Sequence, residues 1–325
     1  MSGKLFLISL ISIVYCLSAK AQKIDTIVYY LKDNGFSIQP VKFKDSADFY
    51  RVILPADTSV DKNLFIVNDF YKDGKPKMMG KSTTQKYFVQ LSGVCMEFFK
   101  NGRRKSVKNY EHNNPVGDVT QYFPNGKIYL TGKFDGNNKF FVNECRDSTG
   151  KVLAIDGNGH YIKYSGDFKN ALEEGRVSNG LEDGEWHGRF NDTIKYVCTY
   201  SSGIVKGGTS YDKMGNAYPF TNKEVQPSFK GGIDLFYQFL ATYIHYPKVA
   251  KENNVQGKVF LTFVIDKDGS LTDLKVARGI GSGCDEEAAR VVKLSPPWTP
   301  GKLYGIPVRV WYTIPITFSL TAARR

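Results

Sequence analysis

The stretch Gly257-Lys258-Val259-Phe260-Leu261-Thr262-Phe263-Val264-Ile265-Asp266-Lys267-Asp268-Gly269 decides the reading of the last hundred residues. Val259, Leu261, Phe263 and Ile265 alternate with Phe260, Thr262 and Val264, the period of a strand. Asp266 to Gly269 reads as a hairpin turn, with glycine free to take positive φ. Downstream, 271–277 is a second strand and 279–283 a glycine-rich loop. Asp285, Glu286 and Glu287 then place three acids where a helix dipole favours them. Ala288, Val291 and Val292 give that helix its apolar face, and Ser295 to Gly301 stops it. A long last strand is expected over 306–320, with Val308, Val310, Tyr312, Ile314, Ile316, Phe318 and Leu320 on one face. Upstream, Leu235, Phe236, Phe239, Leu240 and Tyr243 mark one face of a helix. His245-Tyr246-Pro247 breaks it, and Pro247 suits the first turn of a short helix ending at Asn253-Asn254. The order predicts a small antiparallel sheet with helices on one side.

Six landmarks in that order carry a resemblance: Tyr246-Pro247 with Ala250, Gly257-Lys258-Val259, Asp268-Gly269, Asp285 to Ala288, Trp298-Thr299-Pro300-Gly301 and Pro315 to Phe318. The segment 226–320 resembles the C-terminal domain of TonB, the periplasmic protein that transmits inner-membrane energy to outer-membrane transporters. The resemblance implies a binding module and no enzyme. A receptor's N-terminal peptide would add as a strand to the domain's last strand, by β-augmentation. Carried over by position, the peptide-binding residues are Val308, Arg309, Val310, Trp311, Tyr312 and Thr313, beside Tyr243, Tyr246 and Pro247. Tyr243 stands where studied members of the family carry a polar contact, so peptide specificity does not carry over. Pro315 supports an edge position, because proline cannot donate to a central ladder. The implied partner is the peptide of an outer-membrane TonB-dependent receptor, with no cofactor, metal or nucleic acid.

Before this module lies a repeat, an aromatic, one residue, Asn or Asp, then Gly: Tyr71 to Gly74, Phe99 to Gly102 and Phe123 to Gly126, with looser copies at 147–150 and 211–215. Asn-Gly or Asp-Gly between apolar runs predicts hairpins with type I′ turns. With Gly-Lys or Gly-Arg after each turn, the pattern resembles MORN-like repeats. The expected fold class is therefore mostly β: an elongated hairpin array followed by an α+β C-terminal domain. Roughly a dozen strands at about 4.8 Å would span ~60 Å. The expected domains are a signal peptide at 1–21, an N-terminal β module at 22–64, repeats at 65–221, and the C-terminal domain at 226–320 after a linker.

Lys4, the apolar run 5–17 and Ala19-Lys20-Ala21 read as a secretory signal peptide, placing the protein in the periplasm. The alternative is a retained inner-membrane anchor, the only case in which an inner-membrane motor would be a partner. The formal charge of +12 falls to +10 when 1–21, with Lys4 and Lys20 and no acid, is removed. Basic charge suits anionic envelope polymers or a solvated surface; no nucleic-acid motif is present. Cys95, Cys145, Cys198 and Cys284 allow three disulfide connectivities, and Cys284 before a helix start reads as a small buried residue. His112, His160, His187 and His245 form no metal or catalytic spacing. Glu173-Glu174 beside a glycine reads as a solvated turn, and Asp183, Glu185 and His187 as exposed strand positions. The alternative function is a structural envelope protein whose repeat surface binds partners or lipid without energy transduction.

Overall fold

The computed structural model describes residues 26–320 apart from 36, 58 and 60–62. The signal-peptide reading falls on residues outside that range. Among the described residues no helix is long and apolar enough to cross a membrane. The chain divides into two compact units after Val116. It is mostly β, with seventeen strands preceding an α+β C-terminal domain.

The first unit carries β1 (Ile27–Asp33), β2 (Ile38–Pro40), β3 (Phe49–Leu54), β4 (Phe65–Tyr71), β5 (Pro76–Ser82), β6 (Gly93–Phe98) and β7 (Arg104–Glu111). β1 pairs with β2 and β3, and each later strand pairs with the one before it, all antiparallel. One face buries Ile53, Val67, Met78 and Cys95. Arg51 and Asp69 form a two-pronged ion pair, at 2.6 and 2.7 Å, with both side chains only 4% exposed.

β8 (Asn114–Tyr122) crosses into the second unit, followed by β9 (Ile128–Phe134), β10 (Phe140–Arg146), β11 (Val152–Ile155), β12 (Asn158–Tyr164), β13 (Ala171–Ser178), β14 (Leu181–Asn191), β15 (Ile194–Ser201), β16 (Ile204–Tyr211) and β17 (Ala217–Phe220). From β8 onward consecutive strands pair antiparallel. Their core gathers Phe123, Tyr129, Tyr161, Trp186, Tyr196 and Phe220.

The repeat turns are hairpins of a different type from that expected. At Tyr71–Lys75, Phe99–Arg103 and Phe123–Lys127 the first N–H donates to the fifth carbonyl and the glycine N–H to the first. Only the glycines have positive φ. These are type I turns closed by a glycine bulge, which spare Asp73, Asn101 and Asn125 a left-handed conformation. Type I′ turns occur elsewhere, at His112-Asn113, Asp156-Gly157, Asn179-Gly180 and Ser202-Gly203, where both residues have positive φ.

The two compact units part between Val116 and Gly117. β3 pairs with β4 across residue 64. The residues between 221 and 226, expected as a linker, include β18 (Glu224–Val225), which pairs with β21 (Lys302–Leu303). Glu173 is buried rather than solvated, because it faces inward on β13 with Gly175 and Val177. All four described cysteines are buried and unpaired. Burial pushes the Cys95 thiol up to about 12 and those of Cys145 and Cys198 up to about 11.

The C-terminal domain contains α1 (Ile233–Tyr243), α2 (Lys248–Glu252), β19 (Gly257–Ile265), β20 (Leu271–Arg278), α3 (Cys284–Lys293), β21, β22 (Ile306–Pro307) and β23 (Val310–Phe318). Val259, Leu261, Phe263 and Ile265 are fully buried against Phe236, Ala288, Val291, Val292 and Trp298. On α1 the expected face is narrower than read: Phe236 and Leu240 are buried, whereas Leu235 and Tyr243 are exposed. Gly269 carries a strict requirement, since a Cβ there would lie 1.9 Å from the Trp298 carbonyl. The long last strand is broken. The Val308 N–H donates to Gly301 O at 2.9 Å, so Val308 and Arg309 precede β23 rather than belong to it.

Candidate functional site

The sheet order is β20-β19-β23. Among the described residues, β23 is paired only with β19, and its other edge is open. The register with β19 runs from Gly257↔Phe318 to Ile265↔Val310 without a shift.

Antiparallel strands alternate hydrogen-bonded and non-bonded pairs, so the outward groups can be assigned. The β19–β20 hairpin closes with the Asp266 N–H on Ser270 O at 2.8 Å. Ile265 therefore turns its backbone groups toward β23, as do Phe263, Leu261, Val259 and Gly257. Their partners Val310, Tyr312, Ile314, Ile316 and Phe318 are satisfied inward. Trp311, Thr313, Pro315 and Thr317 turn theirs to the open edge. Pro315, which has no N–H, falls on an outward position opposite Phe260, as this assignment requires. The open edge thus offers N–H and C=O at Trp311, Thr313 and Thr317, and only C=O at Pro315.

The opposite border, β20, is a poor rival. It carries two register shifts against β19, and Asp273 has φ of 53°. Asp273 also pairs with Arg309 at 3.5 Å. Bulges and charges of this kind protect an edge from pairing.

Helical elements flank the open strand. Trp298 packs edge-on against both Phe236 and Tyr312, with ring centroids 5.3 and 5.4 Å apart. At the far end Tyr246 packs on Phe318 at 5.5 Å and donates its hydroxyl to Val255 O at 2.5 Å. Tyr243 is 47% exposed, its ring against Phe239 at 4.8 Å. Trp311 is 65% exposed on the side of the sheet away from the helices. Pro247 caps α2 from outside the helix, not from its first turn.

The structure therefore gathers Tyr243, Tyr246 and Pro247 into one corner after α1, and Val310 to Thr313 onto one strand. Arg309 is held away from the ladder by Asp266 at 3.2 Å and by Asp273. Two residues fix the corner: Glu287, which the sequence reading placed only at a helix start, and Arg290, which it did not single out. Glu287 accepts the His245 N–H at 2.6 Å, and Arg290 pairs with Glu287 and donates to Tyr243 O at 2.9 Å. The Arg290 hydrogen bond, with the His245 N–H, holds the Glu287 carboxyl below its ordinary range. The i,i+3 spacing of Glu287 and Arg290 was the available signal.

His160 with Glu174 and His187 with Glu185 are exposed surface pairs. Among the described residues no group of three or more His, Cys, Asp or Glu could hold a metal.

Residues 242–320 match the family model for the Gram-negative bacterial TonB protein C-terminal. The match covers less than a third of the chain and coincides with the module built around β19 and β23. A comparison with curated proteins found no match.

Proposed function

We propose that the protein is a periplasmic TonB-like binding protein that takes up an extended peptide of an outer-membrane receptor as a fourth strand on β23. The observation that carries this reading is the open, unshifted edge of β23 beside a bulged and charge-guarded β20. Main-chain bonds to Trp311 and Thr313 would supply affinity, and the exposed rings of Trp311 and Tyr243 would contact alternate side chains. The segment Val308–Arg309 would flank the peptide without pairing to it, because the Val308 N–H is already engaged. Export by the segment 1–21 would place the domain where such receptors present their peptides. Coupling to an inner-membrane motor belongs to this proposal only if that segment is retained as an anchor.

The test is Thr313→Pro, which removes one outward N–H and leaves the inward ladder to β19 intact. A ladder bond contributes about 0.5–1.5 kcal/mol net, so binding of receptor N-terminal peptides should weaken by about 2- to 10-fold. The near-UV circular dichroism should be preserved. Unchanged affinity in a folded variant would eliminate strand addition at this edge.

A further inference from the structure

A second site emerges from a regularity in the repeats. Three residues after each turn glycine the register shifts, and one residue is left without a partner. These residues are Lys77, Lys105, Tyr129 and Leu153, bracketed by the pairs Phe70↔Pro76 and Asp69↔Met78, Phe98↔Arg104 and Glu97↔Ser106, Tyr122↔Ile128 and Gln121↔Leu130, and Arg146↔Val152 and Cys145↔Ala154. A bulge re-aims the side chain of the extra residue. Where that residue is apolar it enters the core: Tyr129 is 3% exposed, and Leu153 packs on the same cluster. In the first unit the inward position is a lysine instead.

Lys77 is half-buried, with its ammonium 3.7 Å from the centre of the buried Phe49 ring. Among the described residues no acceptor lies within hydrogen-bond distance of its three donors. Burial lowers its pKa, even though Asp69 and Asp33 act to raise it. A desolvated cation at the position the second unit fills with apolar side chains departs from the logic of the core, and such departures mark functional places.

Lys77 also lines a cavity of about 750 Å³ together with Asp33, Asp48, Tyr71, Lys72 and Lys100. Three carboxylates, Asp33, Asp48 and Asp73, also line the cavity, and each is engaged by its own loop. Asp33 accepts the Gly35 N–H at 2.9 Å, Asp48 the Asp33 N–H at 2.9 Å, and Asp73 pairs with Lys75 at 3.0 Å. Among the described residues Lys72 reaches only the Asp45 carbonyl, at 3.3 Å. The donors still seeking a partner are thus cationic, and Lys77 is the most dehydrated of them.

We propose that this cavity is a binding site for a small ligand bearing a carboxylate or phosphate oxyanion, which sits on Lys77 with Lys72 and Lys100 at the rim. The oxyanion supplies the acceptors that the protein withholds from Lys77. The ligand body lies against Tyr71. The site belongs to the first unit and is independent of the β23 edge.

The test is residue-resolved acylation of the full chain with an amine-selective anhydride, read by mass spectrometry, in rising inorganic phosphate or acetate. Sodium chloride of equal ionic strength is the control. Acylation of Lys77 should fall about tenfold when either anion occupies nine-tenths of the sites. Lys105 is the internal reference: it holds the same repeat position, 5.9 Å over Phe99, but does not line the cavity. Calorimetric titration with phosphate should show heat for the wild type and none for Lys77→Met, whose side chain suits the inward position. Slowing equal to that in chloride for both anions, or equal protection of Lys105, would overturn the proposal. So would undiminished phosphate binding by a folded Lys77→Met.

Discussion

Glu173 ties three side chains together inside the second unit. Its carboxylate accepts from Lys163 at 3.2 Å, from the Tyr200 hydroxyl at 3.0 Å and from Lys223. Lys163 also reaches Glu182 at 2.7 Å, and its ammonium lies 4.8 Å from the Trp186 ring. Burial pushes the Glu173 pKa up, but Lys163 and Lys223 outweigh it and leave the carboxyl below its ordinary value. A lowered folded pKa means stability that is fully present above the unfolded value of about 4.3 and lost as pH falls through the folded value. Removing one partner of a fully buried ion pair costs about 3 kcal/mol or more; here Glu173 is buried but Lys163 and Lys223 are only partly so, so Glu173→Gln, which leaves two partly buried ammoniums short of a charge, should cost less than that. The variant should still melt several degrees below the wild type at pH 7. The gap should close in thermal melts taken from pH 5 downward; a gap constant down to pH 2 would mean that the charge does not matter. The adjacent acids Glu173-Glu174 invited a solvated reading, since nothing local announces which of two neighbours a strand turns inward. The register of β13 against β12 and β14 decides it, and register is a long-range property.

Among elements, β19 was readable because both its faces and its turn repeat a simple period. β23 was readable only in part. Its alternation is clear from Val310 to Phe318, but the same alternation continues into Val308, where the Gly301 carbonyl captures the N–H. Turn type was misjudged for a related reason. Asn-Gly suits a type I′ turn, yet one further residue in the loop lets the asparagine stay right-handed and leaves positive φ to glycine alone. The outward assignment of Pro315 yields a prediction about the strand as a whole. Pro315→Ala restores one donor to the open edge without touching the inward ladder. Peptides long enough to reach that level should bind about 2- to 10-fold tighter, and peptides ending opposite Thr313 should bind unchanged. An equal gain for both lengths would show that the variant acts through the fold of β23. The proline also limits how far a stray strand can zip onto this border, so the variant should self-associate more readily in sedimentation.

At the scale of the second unit, the residues read as a linker form a joint. The β21–β22 hairpin drives its tip, Tyr304-Gly305, into the end of the repeat core. Tyr304 stacks on Tyr196 with centroids 4.3 Å apart and meets Phe220 and Phe190 at 5.8 Å. Its N–H donates to Lys223 O at 2.6 Å, and its carbonyl accepts the Ser210 hydroxyl at 2.7 Å. Lys223, the partner of Glu173, lies 5.5 Å from the Tyr304 ring. The β21–β22 hairpin of the C-terminal domain and the end of the repeat core thus meet through this aromatic stack, the two hydrogen bonds and the β18–β21 pairing. No sequence period points to a contact between residues 94 positions apart, and a tyrosine at φ of 51° is an unfavoured turn residue. Such strain persists where the surroundings over-determine it. Tyr304→Asn separates the two effects, because Asn-Gly is a preferred pair for a turn with two positive φ values. The hairpin should survive while the stack is lost, at a cost of about 2 kcal/mol for a half-buried ring. Limited proteolysis should then cut between residues 221 and 226 sooner than in the wild type, with peptide binding to the isolated edge unchanged. If cleavage there is no faster in the variant, the ring is not what seats the C-terminal domain, and the bonds from Lys223 and Ser210 to the hairpin backbone carry the joint.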